Sequence, residues 1–163
     1  MLSAWPVPRS RAGAAARCCP RCSTCSASPV PSGGNAPRSI AWAVDVASDP
    51  RTVYLDTETT GFGKRAEIVD IAVVGADGRV VFESLVRPGQ RIPPDASAIH
   101  GITDADVHHA PRWCDLYDDL LRVLEDRRIV VYNVTFDRQM VTQACENYAL
   151  TAPAADWDCA MKK

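Results

Sequence analysis

Apolar and polar residues follow each other along residues 48–163 in a pattern that predicts strands interleaved with helices. Short apolar runs bounded by turn residues indicate strands. These runs lie at residues 52–56, 67–75, 79–86, 129–132 and 156–161. Apolar residues at helical spacing predict two longer helices, over residues 111–125 and 135–148. The order β-β-β-α-β-α-β predicts a layered α/β domain that begins with a hairpin meander.

Turn and cap residues predict how these elements are connected. Asp77 and Gly78 predict a hairpin turn between the second and third strands. Asp95 is predicted to cap a short helix that runs to His100, and Thr103 or Asp104 to cap a further helical turn. The connections are therefore short, as expected for one compact domain.

Residues 1–47 have a different composition and are predicted to form a separate, disordered leader. They are rich in Ala, Arg, Ser, Pro and Cys and have no amphipathic period, so they offer little apolar surface to bury. A start codon assigned too far upstream would explain the same segment. An organellar transit peptide is a further alternative, because such peptides are rich in Arg and Ser and poor in acids. The predicted domain division is therefore a leader at 1–47 and a folded domain at 48–163.

Charge is distributed unevenly between these two parts. Residues 1–44 contain five arginines and no acid, whereas the rest of the chain has 13 basic and 20 acidic residues. An acidic body is a poor general binder of nucleic acid, but it can act on nucleic acid when metal ions bridge its carboxylates to phosphates. No apolar run approaches the length of a membrane span, so no membrane partner is expected.

The cysteines do not predict a secreted disulfide framework. Four of the seven cluster in the leader and three are scattered singly. A structural zinc ion at Cys19, Cys22 and Cys25 is not expected, because such sites pair two Cys-x-x-Cys steps over a longer spacing. The expected compartment is the cytoplasm.

Two carboxylates at the end of the first strand are the main candidate for chemistry. Asp56 and Glu58 are two residues apart, so on a strand they point to the same face. Adjacent carboxylates repel each other unless a cation or a proton lies between them. Oxygen ligands of this kind suit Mg²⁺ or Mn²⁺. The pair therefore predicts part of a metal site for phosphoryl chemistry.

Asp137 is the candidate for a third ligand. It is predicted to lie one turn into the helix that follows the fourth strand, where the helix dipole favours negative charge. Three acids from two strand ends can hold two cations, which is an arrangement suited to two-metal phosphodiester cleavage. Asp70, on the second strand, is interpreted instead as a residue of the sheet rim or one bonded to the backbone.

Three segments together resemble the DEDDh 3′–5′ exonucleases, the group that contains the proofreading epsilon subunit of bacterial DNA polymerase III. They are DTETTG at 56–61, IPPDASAIHGIT at 92–103 and NVTFD at 133–137. The resemblance extends over residues 52–161. It implies an RNase H-like fold, two Mg²⁺ or Mn²⁺ ions, and hydrolysis of single-stranded 3′ ends to release 5′-nucleotides. A DNA polymerase subunit is an implied partner.

The resemblance also implies a role for each matched residue. Asp56 would bridge both metals, Glu58 would hold one, and Asp137 would bind the other through water. Phe136 would form a wall of the nucleotide pocket, and backbone N–H groups of the Thr-Thr-Gly turn would approach the 3′ end. The positions expected to contact substrate are Thr57, Thr59, Thr60, Gly61, His100, Asn133 and Phe136.

A third motif of the family has no counterpart in this sequence. The family places a His followed five positions later by Asp on a helix after the fifth strand, and the His acts as general base. The three histidines here all precede Asn133, and none is followed by Asp at that spacing. The domain is therefore expected to be incomplete at its C-terminus and impaired in catalysis. The alternatives are a binding module that grips a nucleic-acid end or a polymerase without cutting, and a gene fragment.

Overall fold

The computed structural model describes residues 38–162, which contain a five-stranded mixed sheet in the order β3-β2-β1-β4-β5. Its strands are β1 Thr52–Thr59, β2 Ile68–Gly75, β3 Val80–Leu85, β4 Arg128–Val131 and β5 Asp156–Cys159. The first three strands are antiparallel neighbours, and β4 and β5 continue the sheet in parallel with β1. The predicted α/β architecture and its initial meander are confirmed.

Five α-helices and one 3₁₀ turn surround the sheet in this part of the chain. They are α1 Arg38–Ser48, α2 Pro94–His100, α3 Asp104–Val107, α4 Trp113–Leu124, α5 Val134–Glu146 and the 3₁₀ turn Ala160–Lys162. The described residues include no helix that is both long and apolar enough to cross a membrane. The helices predicted over 111–125 and 135–148 correspond to α4 and α5.

Three local predictions need correction or refinement. Asp95 does not cap α2, because the cap residue is Pro93 and Asp95 lies in the first turn. Thr103 does cap α3, and its N–H and hydroxyl both donate to the carboxylate of Asp106. The last strand ends at Cys159 rather than Met161, because the chain then turns into the 3₁₀ segment. The Asp77-Gly78 turn is as predicted, with Gly78 at a φ of 78°.

Helix α1 was not predicted, and the expected disorder is wrong for residues 38–47. Val46 is buried at 2% exposure, and the Trp42 indole N–H donates to Asp158 at 2.7 Å. Arg128 on β4 pairs with Asp45 at 2.6 Å and with Asp158 at 2.9 Å. These contacts supply burial and charge pairing that local composition does not reveal. The rest of the predicted leader, including the cysteines considered for zinc, lies outside the described residues.

The core lies between the sheet and the two long helices. Its fully buried side chains include Leu120 and Leu124 of α4, Ile129 of β4, and Met140 and Val141 of α5. A smaller cluster under α2 and α3 is formed by Val69, Ile92, Ala96 and Val107. The packing of α5 on the sheet brings its first turn to the C-terminal ends of β1 and β4, which are adjacent and parallel.

Candidate functional site

Asp56 and Glu58 lie on one face of β1, as the spacing predicts. Side chains along the strand alternate between buried and more accessible, and Asp56 and Glu58 both occupy the accessible face. The opposite face, which includes Leu55 and Thr57, is buried against the core. The β1–β2 pairing shifts register between Glu58 and Thr59, directly after the carboxylates. Such irregularities bend a strand and redirect its side chains.

Asp137 reaches the same end of the sheet from the first turn of α5. Its backbone N–H donates to the Asn133 carbonyl at 3.1 Å, which is the first turn of the helix. Its side chain is only 5% exposed, and its carboxylate accepts a hydrogen bond from the Thr57 hydroxyl at 3.0 Å. Thr57 therefore holds Asp137 against β1. Thr57 was predicted to contact substrate, but its side chain is directed to the core face and to this carboxylate.

Burial, and for Glu58 and Asp137 also neighbouring negative charge, raises the pKa of the acidic groups. Desolvation, followed by repulsion from Asp56, Asp70 and Asp137, raises the pKa of Glu58. Desolvation raises the pKa of Asp56, and a backbone hydrogen bond from Thr57 partly offsets it. Desolvation and the charge of Asp56 raise the pKa of Asp137 to about 6, against the lowering effect of the Thr57 hydrogen bond. The three predicted ligands therefore share one electrostatic environment that favours a proton or a cation.

Asp70 belongs to this environment as well. It is the cross-strand neighbour of Glu58, is half-buried, and accepts a hydrogen bond from the backbone of Ile71. Desolvation raises its pKa to about 6, with smaller contributions from Glu83 and Asp56. The bond to the backbone agrees with the interpretation made from the sequence. Its position opposite Glu58 was not anticipated, because it depends on the strand register.

These shifts predict that the metal-free protein is more stable at pH 5 than at pH 7.5. Asp70 and Asp137 have folded pKa values of about 6, above the ordinary value of 3.8 for an aspartate, so the protein takes up protons on folding between these pH values. The stabilisation from protonation is complete below pH ~4 and is lost as the pH rises through about 6. Thermal unfolding in EDTA at pH 5 and at pH 7.5 measures this difference in stability. Asp70→Asn should reduce the difference, and a higher midpoint at pH 7.5 would contradict the assignment.

The Thr-Thr-Gly turn uses its side chains to hold its own shape. The Thr59 hydroxyl donates to the Gly61 carbonyl at 2.8 Å, and the Thr60 hydroxyl accepts the N–H of Glu67 at 2.9 Å. The Thr60 N–H donates to the Glu67 carbonyl at 2.8 Å. Gly61 has a φ of 144°, a conformation that favours glycine. The side chains therefore support the turn. The predicted contact with a 3′ end would be made by the backbone around Gly61.

His100 and Asn133 have structural roles that the sequence did not settle. His100 ends α2, and its Nδ1 accepts the N–H of Ile102 at 3.0 Å, so Nε2 carries the proton. That Nε2 is buried and has no hydrogen-bond partner among residues 38–162. Asn133 caps α5 through its carbonyl, which accepts the N–H groups of Phe136 and Asp137. Both residues were predicted to contact substrate, and that role stays a prediction.

Phe62 is a residue that sequence reasoning missed. It follows Gly61 directly and is 86% exposed, although phenylalanine is usually buried. Its ring lies 5.6 Å from the ring of Phe136, centroid to centroid and tilted by 56°. Phe136 was predicted to form a wall of the nucleotide pocket, and the exposed ring of Phe62 lies beside it. An aromatic residue next to a glycine turn was the available signal, but its exposure could not be read from the sequence.

The carboxylates suit a divalent ion whose coordination shell is completed by oxygens from other groups. Among residues 38–162, no three acidic, histidine or cysteine side chains are gathered closely enough to form a cage by themselves. Mg²⁺ commonly binds through one or two carboxylates and completes its shell with water and substrate phosphate. The chemistry of Asp56, Glu58 and Asp137 fits such an ion, because each of them gains from a nearby positive charge.

A family model described as Exonuclease matches residues 53–160. The chain belongs to this exonuclease family. The match begins at β1 and ends just after β5, so it includes every strand and all three carboxylates. The family membership predicted from the three motifs is thereby confirmed.

Named relatives agree with this assignment. An uncharacterized exonuclease, CP81, of Escherichia phage 186 is 39% identical over 98 residues, which are 60% of this chain and 50% of that protein. The DNA polymerase III subunit epsilon of Treponema pallidum is 30% identical over 122 residues, covering 71% of this chain and 57% of that protein. The exonuclease-family chain thus spans about half the length of these curated relatives.

A solved structure supports the fold. Exonuclease X in complex with 5′ overhanging duplex DNA matches with a TM-score of 0.53 and 34% identity, covering 68% of this chain and 60% of that one. The predicted RNase H-like arrangement, a mixed sheet with flanking helices, is confirmed. The exonuclease-family chain therefore shares its fold with an exonuclease that was solved in complex with DNA.

Proposed function

We propose that this protein is a metal-dependent 3′–5′ exonuclease that removes 5′-nucleotides from single-stranded 3′ ends. The observation that carries the proposal is the group of Asp56, Glu58 and Asp137, which come from β1 and α5 and are close enough that the charges of Asp56 and Asp137 raise the pKa of Glu58. A phosphodiester-cleaving site that is built from carboxylates has to hold these negative groups next to a negatively charged substrate. Carboxylates at one sheet end do so when Mg²⁺ or Mn²⁺ lies between them and the phosphate.

Each residue of the site has a proposed task. Asp56 and Glu58, from the accessible face of β1, and Asp137, held by Thr57, would provide the oxygen ligands of two ions. Bound divalent ions would supply an activated water and stabilise the leaving oxygen. Phe62 and Phe136 would contact the base of the terminal nucleotide, since aromatic rings stack on any base.

Catalysis by these 163 residues is expected to be slow. The family's general base is a histidine, and no histidine of this sequence follows Asn133. Loss of a general base typically costs about 10²- to 10⁴-fold in rate. Activity is therefore best sought with enzyme in excess over substrate. A polymerase subunit is a proposed partner, which the name of the Treponema relative supports.

Metal binding tests the proposal without depending on turnover. Titration of the full chain with Mn²⁺, followed by the electron paramagnetic resonance of free Mn²⁺, should show binding. Glu58→Gln is expected to weaken this binding by roughly tenfold or more, the scale of losses seen when a metal site is perturbed. Asp118→Asn is the matched control, because Asp118 is exposed on α4. Equal binding by the wild type and Glu58→Gln would contradict the site.

A further inference from the structure

A cleft of about 710 Å³ lies beside the candidate site, between the loop at residues 61–66 and the outer face of α5. Its lining is mostly polar. From the loop side it includes Lys64, and from α5 it includes Thr135, Arg138, Gln139, Thr142 and Gln143. These α5 residues recur at helical spacing on the side of the helix that does not face the core. The cleft therefore offers a continuous polar groove along two turns of the helix or more.

Two cations of this cleft are available to a ligand. Lys64 and Arg138 are both exposed, and neither forms an ion pair with another residue of 38–162. Glu146, at the far end, is the one acidic residue of the lining. Residues 45–163 carry an excess of acidic over basic side chains, whereas these two cations face one cleft. Their charge is suited to an anionic ligand.

The loop that carries Lys64 is fixed to α5. The Gln143 side-chain amide donates to the Ala66 carbonyl at 2.5 Å and to the Gly63 carbonyl at 3.4 Å. At the base of the loop, the Thr60 N–H donates to the Glu67 carbonyl and the Glu67 N–H donates to the Thr60 hydroxyl. A loop held on both sides keeps its cation opposite the helix. Less conformational freedom is then lost when a ligand binds.

The cleft reaches the first turn of α5, which also carries Asp137. Its lining includes Val134 and also Arg138, the residue after Asp137. Phe62, two residues before Lys64 in the same loop, lies against Phe136 of this turn. A strand whose terminal nucleotide lies at Asp137 would therefore pass an exposed aromatic ring and then two cations.

We propose that this cleft binds the sugar–phosphate backbone of the nucleotides that precede the 3′-terminal one, with Lys64 and Arg138 contacting their phosphates. The inference rests on the proposed exonuclease function and adds to it a second contact region that depends on strand length. Grooves for single strands combine cations that follow the backbone with aromatic rings that stack on bases. The cleft provides the cations, and the neighbouring residues Phe62 and Phe136 provide the rings. The amides and hydroxyls of the lining can accept any sequence.

The test compares binding of fluorescein-labelled dT12 and dT2 to the full chain in Ca²⁺, over a series of salt concentrations. The double variant Lys64→Gln/Arg138→Gln is compared with Arg79→Gln/Arg122→Gln, whose arginines are exposed and form only surface ion pairs. For dT12, the plot of log affinity against log salt has a negative slope. Its magnitude should decrease by about 1.4 in the first variant, or about 0.7 for each lost phosphate contact. The control variant should keep the slope of the wild type.

The outcomes separate the inference from the proposed function. If both double variants give the wild-type slope with dT12, the cleft does not bind the backbone, and the active-site proposal stands. If Lys64→Gln/Arg138→Gln loses as much affinity for dT2 as for dT12, its cations act at the terminal nucleotide, which overturns the inference as well. If the wild type binds neither strand at low salt, the proposed function itself fails, and the inference fails with it.

Discussion

Replacing Asp56 with asparagine is expected to lower metal-dependent nucleotide release by about a thousandfold or more. Asp56 lies on the accessible face of β1 and influences the pKa of both Glu58 and Asp137, so it is the central member of the group. Neutralising it would weaken the ligation of both proposed ions. Metal ions contribute several kcal/mol of charge stabilisation in such reactions, and each 1.36 kcal/mol corresponds to about tenfold in rate.

The measurement is a single-turnover assay with a 3′-labelled single strand and the protein in excess, in Mg²⁺ and in Mn²⁺. Asp118→Asn serves as the matched control, since it makes the same chemical change on the exposed side of α4. Circular dichroism should show the same fold for all three proteins. A rate for Asp56→Asn within tenfold of the wild type would remove this residue from the proposed site.

Replacing Asp137 with asparagine is expected to stabilise the metal-free protein at pH 7.5 while removing its response to metal. The buried carboxylate is ionised at this pH, although desolvation raises its pKa to about 6. Keeping this buried carboxylate ionised lowers the free energy of unfolding by roughly 1–3 kcal/mol. A neutral amide at the same position has no such cost. The amide oxygen can still accept the hydrogen bond that the Thr57 hydroxyl gives to Asp137.

Thermal unfolding in EDTA and in excess Mn²⁺ checks this expectation. In EDTA the midpoint of Asp137→Asn should exceed that of the wild type by roughly 3–10 °C. Mn²⁺ should raise the wild-type midpoint and leave the variant nearly unchanged, because a ligand stabilises only the protein that binds it. A variant that is less stable than the wild type in EDTA would show that Asp137 is mainly a structural partner of Thr57. If the variant is more stable in EDTA, as expected, stability and function oppose each other at this residue.

The sequence predicted the strands well because their apolar runs are short and bounded by clear turn residues. The order of β1, β2 and β3, with the turn at Gly78, followed from local pattern alone. The two-residue spacing of Asp56 and Glu58 likewise determines the face they share once β1 forms. The position of Asp137 required only that a helix follow β4. These features depend on local periodicity, which a sequence displays directly.

The features that were missed depend on contacts between distant residues. Helix α1 is ordered by Trp42 and Asp45, whose partners Asp158 and Arg128 are more than 80 residues away. The local sequence of this Arg- and Ala-rich segment does not predict such contacts. The same limitation hid the placement of Asp70 opposite Glu58, because it is set by strand register.

Side-chain partners inside the motif were also beyond the sequence. The Thr57 hydroxyl is directed to Asp137, and the Thr60 hydroxyl to the backbone of Glu67, although both residues were expected to contact substrate. A motif identifies positions that matter without stating whether they hold a ligand or hold the site. Hydrogen-bond geometry makes that distinction, and here it assigns both hydroxyls to the support of the site.

The identity of the first product released from a single strand tests most directly whether the protein is a metal-dependent 3′–5′ exonuclease. Matched dT12 strands labelled at the 3′ or at the 5′ end are incubated with excess protein in Mg²⁺ or Mn²⁺. The 3′ label is expected to be released first, as a 5′-mononucleotide, and EDTA is expected to stop the release. Release of a mononucleotide from the 5′ end, internal cleavage, or product formation in EDTA would contradict it.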